Sequence, residues 1–215
     1  HSFPTYWHLE FESGVIAKHA DPGQFVNIKV GDGLEPLLRR PISIHRVREQ
    51  RAENRGQIEI LYEVIGRGTQ ILSQRKPGEY LDVIGPLGNG FWFPSSVLRP
   101  PSSVVLVAGG MGVAPLVFLA EKIKASRPLV LIGAKTKSQI LCAQEFKALG
   151  CCVKIATDDG SVGFRGKITD LLKQQLSVIG YRLSVIYACG PRPMLEAVAR
   201  IAQENKLNAQ LSQEE

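Results

Sequence analysis

The chain lacks any long apolar run, and this absence excludes a protein that crosses the membrane with helices. None of its apolar stretches approaches the roughly 20 residues that a helix needs to cross a bilayer. No secretory signal is visible at the start, and His1 is not a natural initiator, so we expect a trimmed N-terminus. With 215 residues, of which 44% are hydrophobic and 21% charged, a globular protein of two small domains is expected.

Cysteine is scarce, and the chain contains only Cys142, Cys151, Cys152 and Cys189. None of them forms a C-x-x-C pair, so their spacing gives no zinc or iron–sulfur ligand pattern. Four cysteines without a secretory signal indicate reduced thiols and a cytoplasmic protein. The adjacent Cys151 and Cys152 are expected to begin a buried strand as small apolar residues.

Acidic residues are outnumbered by basic ones, which leaves a net charge of +6. The lysines and arginines are scattered and no nucleic-acid motif accompanies them, so the sequence predicts no nucleic-acid partner. A basic surface of this kind suits phosphate-bearing cofactors or an acidic protein partner.

The first half of the chain has the rhythm of short strands and tight turns. Apolar and polar residues alternate over 25–30 and again over 58–65, which is the period of β-strands. Turn signals rich in Gly and Pro separate such segments, at 21–23, 31–33, 76–78 and 85–90. We therefore expect an antiparallel Greek-key β-barrel over residues 1–98.

The second half alternates between short apolar strands and helical patterns. It is preceded by the Pro- and Ser-rich stretch 94–103, which we expect to be a linker. Strands are predicted at 104–108, 129–133, 153–157, 183–188 and 208–211. Helices are predicted at 115–124, 138–149, near 169 and at 192–205. This alternation predicts a Rossmann-like α/β domain over 99–215, with a parallel sheet covered on both faces.

Two segments with glycine follow predicted strands and open predicted helices. The first contains Gly109, Gly110, Gly112, Val113 and Pro115. A glycine turn at that point lets backbone N–H groups and a helix N-terminus approach a pyrophosphate, although a tight structural turn is the alternative. In the second, Cys189-Gly190-Pro191, Gly190 admits a ligand and Cys189 either lines a nicotinamide pocket or is a buried thiol. Ligands of open α/β sheets bind outside the carboxyl ends of strands, so both segments should face one crevice.

The first half carries a basic segment and an aromatic residue that suit a cofactor. Arg40 precedes Pro41, Ile42 and Ser43, and the planar fork of arginine matches a phosphate. Tyr62 offers an aromatic surface, and the segment 66–69 is expected to be a flexible turn rich in N–H groups. Taken one at a time, these residues fit a strand edge and a core tyrosine better than a cofactor site.

In combination and in this order, the motifs resemble the ferredoxin–NADP reductase superfamily, and the likeness covers nearly the whole chain. The four motifs are Arg40-Pro41-Ile42-Ser43, Gly68-Thr69, Gly110 to Pro115 and Cys189-Gly190-Pro191. The resemblance implies a flavin-dependent NAD(P)H oxidoreductase with NAD(H) on the second domain. It also implies FAD on the first, held by Arg40, Pro41, Ile42, Ser43, Leu61, Tyr62, Glu63, Gly68 and Thr69. It assigns no certain catalytic residue, and Cys189 is the one candidate at the nicotinamide.

Within the superfamily the chain is most similar to the electron-transfer subunits of two-subunit, NAD-linked dihydroorotate dehydrogenases. This likeness implies a hetero-oligomer with a catalytic dihydroorotate dehydrogenase subunit, in pyrimidine biosynthesis. Such subunits continue into a cysteine-rich segment that binds a [2Fe–2S] cluster. We therefore expect a truncated chain without metal, and the cluster only in a full-length form. Two alternatives stay open: a reductase for a hydrogenase, a sulfur reductase or ferredoxin, and a cofactor-free docking subunit.

Asp158 and Asp159 follow the third predicted strand of the second half, where the superfamily reads the adenosine ribose. A carboxylate there accepts a hydrogen bond from a ribose 2′-OH and repels a 2′-phosphate, which predicts NAD rather than NADP. The alternative is that both aspartates only cap the loop leading to Gly160.

Overall fold

The computed structural model describes residues 6–31, 36–49, 56–93, 103–179 and 183–213. The chain divides into two compact units, His1–Gly90 and Phe91–Glu215. The predicted linker, apart from Ser103, and the predicted domain boundary between residues 98 and 99 lie outside the described residues. Within the described ranges, no helix is long and apolar enough to cross a membrane.

The first unit is built on antiparallel strands with two short helices. Its elements are β1 (Tyr6–Glu12), α1 (Gly14–His19), β2 (Phe25–Lys29), β3 (Arg40–Glu49), β4 (Gly56–Glu63), α2 (Arg67–Leu72) and β5 (Asp82–Leu87). The strand order is β1-β4-β3-β2-β5, with β1 and β5 at the edges. The strands β2, β3 and β4 form a meander and β1 returns beside β4, which is a Greek-key order. The predicted antiparallel fold is thereby confirmed.

Apolar side chains on one face of this sheet form the core of the first unit. Val26 on β2 lies opposite Ile42 on β3, and Ile44 lies opposite Ile60 on β4. Because successive side chains of a strand point to opposite faces, the alternate residues Val26 and Ile28 of β2, and Ile58, Ile60 and Tyr62 of β4, are buried together. A fully buried side chain of this size contributes about 1.5–3 kcal/mol. The alternation predicted from the sequence therefore places the core correctly.

Two local predictions for the first unit were wrong. The segment 66–69 is not a loose turn but the start of α2, because Thr69 Oγ1 accepts from the N–H groups of Ile65 and Gly66. The last residues of β5, within the predicted turn 85–90, pair with β2. The first difference comes from local capping by Thr69, and the second from pairing with β2, which is distant in sequence.

The second unit is built on a parallel sheet. Its elements are β6 (Ser103–Gly109), α3 (Val113–Lys122), β7 (Leu129–Ala134), α4 (Ala143–Ala148), β8 (Cys152–Thr157), β9 (Phe164–Arg165), α5 (Ile168–Ile179), β10 (Leu183–Gly190), α6 (Arg192–Glu204) and β11 (Ala209–Gln213). The strand order is β11-β10-β6-β7-β8-β9, and every described pair is parallel. The predicted Rossmann-like fold is confirmed.

Helices bury both faces of the central strands. On β6, Val105 and Val107 belong to the core formed with α5 and α6, while the alternate residues Val104 and Leu106 are buried as well. The helix α3 contacts β6, β10 and α4, and α5 contacts α6. Strands covered on both sides show continuous apolar runs rather than alternation, which is the pattern that predicted them.

The helix predicted at 138–149 was wrong at its start. Residues 137–139 form a single 3-10 turn, and α4 begins only at Ala143. Cys142 precedes it with φ of 57°, a left-handed conformation that interrupts a helix. The expectation that Cys151 and Cys152 are both buried was half right, since Cys151 is buried and Cys152 is exposed.

Candidate nucleotide and flavin sites

The topology of the second unit places its two glycine segments side by side. From β6 the chain proceeds to β7 and β8 on one side, whereas β10 and β11 lie on the other. The reversal falls between β6 and β10, which is the switch point where open α/β sheets bind ligands. Gly109 ends β6 and Gly190 ends β10. Parallel neighbours end at the same edge, so both segments lie at one end of the sheet.

The two segments touch through their backbones. A Cβ on Gly112 would overlap the carbonyl of Cys189 and would lie 2.8 Å from the N of Gly190. A Cβ on Gly190 would lie 2.9 Å from the carbonyl oxygen of Gly109. These glycines are therefore required by the packing of one turn against the other, whether or not a ligand is bound. The structural-turn alternative explains part of the motif.

The first segment leads into a helix that can face an anion. Gly110 is exposed, and residues 110–112 form a 3-10 turn that runs into the ten-residue α3. Val113 and Pro115 are buried in the first turn of that helix. Proline is tolerated there because the first helical residues need no N–H partner. The exposed Gly110 at this helix start is where a pyrophosphate could approach the backbone N–H groups.

Cys189 is almost completely buried, with 2% of its surface exposed, and Pro191 beside it is exposed. This burial suits the buried-thiol alternative. A role for Cys189 at a nicotinamide stays a prediction.

The two aspartates after β8 have different partners. Asp158 Oδ2 lies 3.0 Å from Lys167 Nζ, so its charge is compensated by an exposed lysine. Asp159 Oδ1 accepts from both the N–H and the hydroxyl of Ser161, at 2.9 and 2.6 Å. The hydrogen bond from the Ser161 hydroxyl, followed by that from its N–H, lowers the pKa of Asp159. Asp159 therefore does cap its loop, as the alternative supposed, while it remains exposed to solvent.

In the first unit, the structure joins two motif segments that are distant in sequence. A Cβ on Gly68 would lie 2.8 Å from Arg40 Cζ and 2.9 Å from Arg40 Nη2, so the guanidinium rests against the start of α2. Arg40 Nη1 donates to the carbonyl oxygens of Leu38 and Arg39, at 2.7 and 3.3 Å. No carboxylate of the described residues pairs with it. Its positive charge is therefore left to attract an anion.

Tyr62 is buried in the first unit, and its hydroxyl lacks a hydrogen-bond partner among the described residues. The side chain is 4% exposed. Burial raises the pKa of Tyr62 to about 12, so the phenol stays protonated and can donate. A buried group without a partner costs stability, and a bound polar ligand would offset that cost. This orphan hydroxyl and the uncompensated Arg40 fit a phosphate-bearing aromatic cofactor.

The other predicted flavin residues take both faces of their strands. Ile42 is buried in the core, whereas Pro41 and Ser43 point to the opposite face of β3. Leu61 and Glu63 flank Tyr62 on β4 and are half-buried, as is Thr69.

The cysteines do not fit an iron–sulfur cluster. Cys142 precedes α4, Cys151 and Cys152 stand at the amino end of β8, and Cys189 is at the carboxyl end of β10. Two strands separate β8 from β10, a distance of roughly 14 Å across the sheet. No group of potential metal ligands in the described ranges contains two cysteines. A [2Fe–2S] cluster needs four converging ligands.

The sequence reasoning missed a buried ion cluster on the first unit. Glu59 is 1% exposed, and its carboxylate meets His8 Nε2 at 3.1 Å, Arg46 Nη1 at 3.4 Å and the Nε of Arg48. His8, His45 and Glu59 are close enough to hold a metal ion, but two guanidiniums already exceed the charge of Glu59 and oppose a divalent cation. The cluster instead joins β1, β4 and β3. The only signal in the sequence is a charged residue between Ile58 and Ile60.

Comparison with known proteins agrees with this architecture. Residues 106–200 match the family model described as the oxidoreductase NAD-binding domain. The structure of an NADH-dependent reduced ferredoxin–NADP oxidoreductase, studied for flavin-based electron bifurcation, aligns over 96% of this chain and 71% of that one, with 28% identity and a TM-score of 0.76. The ferredoxin–NADP⁺ reductase of Plasmodium falciparum covers 98% of this chain and 90% of its own, with a TM-score of 0.72 at 14% identity, and shows the fold alone. Fold and site thus define an oxidoreductase of the ferredoxin–NADP reductase class.

Relatives in sequence narrow that class. The dihydroorotate dehydrogenase B (NAD(+)) electron transfer subunit of Desulforamulus reducens is 40% identical over 214 residues, which cover 99% of this chain and 78% of the relative. The corresponding subunit of Geobacillus thermodenitrificans is 40% identical over 89% of this chain and 71% of its own length. The chain belongs to the family of the electron transfer subunits of dihydroorotate dehydrogenase B (NAD(+)). The predicted family and the predicted role as a reductase subunit are confirmed.

Proposed function

We propose that the chain binds FAD on its first unit and NAD(H) on its second, and carries electrons between NAD(H) and a dihydroorotate-oxidising catalytic subunit. The observation that carries this proposal is the same in both units. Arg40 rests on Gly68 in the first, and Gly112 packs on Cys189 and Gly190 in the second, so each unit joins two distant motif segments. The relatives at 40% identity are named electron transfer subunits of an NAD(+)-dependent dihydroorotate dehydrogenase, which supports both the choice of NAD(H) and the electron-transfer role.

The residues of the first unit would hold the flavin. Arg40 would donate charge-assisted hydrogen bonds to its pyrophosphate, and Tyr62 would donate its phenol proton to a polar atom of the cofactor. Ser43 and Pro41, on the outward face of β3, would line the ring, with Ile42 fixing the strand from the core. Leu61, Glu63, Gly68 and Thr69 would complete the contact. When bound, a flavin accepts a hydride and can release single electrons, which a nicotinamide does not do readily.

The residues of the second unit would hold the dinucleotide. The N–H groups at Gly110 to Gly112 and the start of α3 would face the pyrophosphate. The nicotinamide would lie beside the segment Cys189 to Pro191, where Gly190 keeps the two glycine turns packed together. The carboxylates after β8 would favour NAD over NADP.

Arg39 and Arg40 provide a matched pair for testing the flavin site. Arg40→Ala should weaken flavin binding by about 10- to 100-fold, because a charge-assisted hydrogen bond contributes roughly 1.5–3 kcal/mol. Arg39 already pairs with Asp82 at 2.8 Å, so Arg39→Ala should keep the flavin. Flavin absorbance of the purified proteins and titration of the stripped proteins with FAD would measure both. Full flavin content with unchanged affinity in Arg40→Ala would show that Arg40 has another role.

The partner is tested by copurification. Tagged chain should retain a dihydroorotate-oxidising subunit expressed with it. If the chain reduces ferricyanide with NADH but does not retain that subunit, the partner is a different redox protein, such as a hydrogenase, a sulfur reductase or a ferredoxin.

A further inference from the structure

Met194, in the first turn of α6, reaches both glycine turns, which are the segments 109–112 and 189–191. Its N–H donates to the carbonyl oxygen of Pro191 at 2.9 Å, which fixes this residue close to the end of β10. A Cβ on Gly109 would lie 2.6 Å from Met194 Sδ, and a Cβ on Gly190 would lie 2.8 Å from Met194 Cε. The thioether therefore rests directly on the backbone of both turns, and each turn needs a glycine at that point.

The contact of Met194 lies on one face of the sheet and that of Gly112 on the other. The helix α3 leads from β6 to β7, and α6 leads from β10 to β11, in the opposite direction along the sheet. Because such connections are right-handed, the two helices cover opposite faces. Met194 packs on the core formed with α5 and α6, whereas Gly112 meets the carbonyl of Cys189 from the start of α3. The two glycine turns are thus held together from both faces.

The type of side chain at position 194 suits this place. Methionine is unbranched and its thioether is polarizable, so it fills irregular gaps between rigid segments. Here the gap lies between two backbone segments, and Met194 is half-buried in it. A shorter side chain would leave a void that its neighbours fill only in part. Without the thioether, the two turns would be held together from the α3 face alone.

We infer that Met194 is a positioning residue for the nicotinamide dinucleotide, because it sets the separation between the turn after β6 and the turn after β10. The first turn would meet the pyrophosphate and the second the nicotinamide, so one ligand has to fit both turns at once. Turns that are held at one separation before the ligand arrives lower the ordering cost of binding. This inference rests on the proposed function, because it requires NAD(H) on the second unit.

Calorimetric titration with NAD⁺ and with ADP separates this role from a general loss of structure. NAD⁺ spans both turns, whereas ADP has no nicotinamide and engages only the first. Met194→Ala should raise the dissociation constant for NAD⁺ by about 5- to 20-fold and leave that for ADP within about twofold of wild type. Met194→Leu fills a similar volume and should restore the affinity for NAD⁺ to within about threefold.

Leu195→Ala is the matched control, because Leu195 is the next residue of α6 and is buried in the core away from the turns. This variant should lower the melting temperature at least as much as Met194→Ala, since it leaves a larger void. It should keep the wild-type dissociation constants for NAD⁺ and ADP. In ferricyanide reduction, the KM for NADH should rise in Met194→Ala and not in Leu195→Ala. A purely structural role of Met194 would give the two variants the same ligand affinities at equal loss of stability.

The outcomes distinguish the inference from the proposed function. Wild-type protein that binds neither NAD⁺ nor ADP would overturn the proposed function. Wild-type protein that binds both ligands, with a Met194→Ala variant that keeps its affinity for NAD⁺ or loses NAD⁺ and ADP equally, would overturn only the inference. A loss of NAD⁺ affinity alone in Met194→Ala, restored in Met194→Leu and absent from Leu195→Ala, is the result that supports it.

Discussion

Arg39 and Arg40 are neighbours with opposite surroundings. Arg39 is bound to Asp82 on β5, whereas Arg40 lies against Gly68 and meets no carboxylate of the described residues. An arginine that pairs with a carboxylate across the sheet stabilises the strands, and one that does not is available to a phosphate. Residue type alone does not distinguish the two roles.

Tyr62→Phe is expected to have opposite effects on stability and on flavin binding. Removing a buried hydroxyl without a partner should raise the free energy of unfolding of the flavin-free protein by about 1 kcal/mol. If the cofactor accepts the hydrogen bond, the dissociation constant for FAD should rise by about 2- to 10-fold. Urea denaturation and titration with FAD measure the two effects.

Tyr187→Phe is the matched control for Tyr62→Phe. The Tyr187 hydroxyl donates to the carbonyl oxygen of Trp92 at 3.0 Å, so its removal should cost about 1 kcal/mol and leave FAD binding unchanged. A loss of stability in Tyr62→Phe equal to that in Tyr187→Phe would mean that the Tyr62 hydroxyl is satisfied within the protein.

Gly112→Ala should impair the dinucleotide site because its Cβ would overlap the carbonyl of Cys189. The two glycine turns would have to separate, and we expect the KM for NADH to rise by about tenfold, since overpacking typically costs 1–3 kcal/mol. Gly150 has φ of +81° with nothing near its Cβ position, and it lies at the amino end of β8. Gly150→Ala should lose about 1 kcal/mol of stability with unchanged KM. Equal KM values in both variants would contradict the contact between the turns.

At the scale of elements, Glu59 joins three strands of the first unit through His8, Arg46 and Arg48. Burial raises the pKa of Glu59, but the hydrogen bond from Arg48 and the charges of Arg46 and Arg48 outweigh it, and the net pKa is lowered. A carboxyl with a lowered pKa adds stability above its unfolded pKa, ordinarily near 4.5. That contribution is lost as the pH falls through the folded pKa.

Glu59→Gln should therefore lower the free energy of unfolding by about 3 kcal/mol at pH 7, because Arg46 and Arg48 would lose the buried carboxylate with which they pair. The difference between wild type and variant should shrink as the pH falls below about 4.5. Urea denaturation at a series of pH values measures this difference. Glu10→Gln, on a half-exposed side chain directly opposite in the sheet, should stay within about 0.5 kcal/mol of wild type. A Glu59→Gln difference that is constant with pH would contradict the ion cluster.

At the scale of the whole molecule, the four cysteines are spread over the second unit and do not converge. We expect the purified chain of residues 1–215 to contain FAD but no stoichiometric iron, since a [2Fe–2S] cluster needs four ligands at one point. The protein should pass electrons from NADH to small dyes such as ferricyanide. Analysis of iron and acid-labile sulfide is the direct measurement. Stoichiometric amounts of both would refute this prediction.

The sequence by itself determined the two kinds of fold and the order of the motifs. Alternation over 25–30 and 58–65, and short apolar runs at 104–108 and 129–133, reflect burial on one or both faces of a strand, which is a local property. Only the tertiary structure decided which of two arginines is unpaired, that Glu59 is buried, and that Asp159 rather than Asp158 lacks a cation. Each of these depends on a partner from another element, and residue spacing along the chain does not encode that partner.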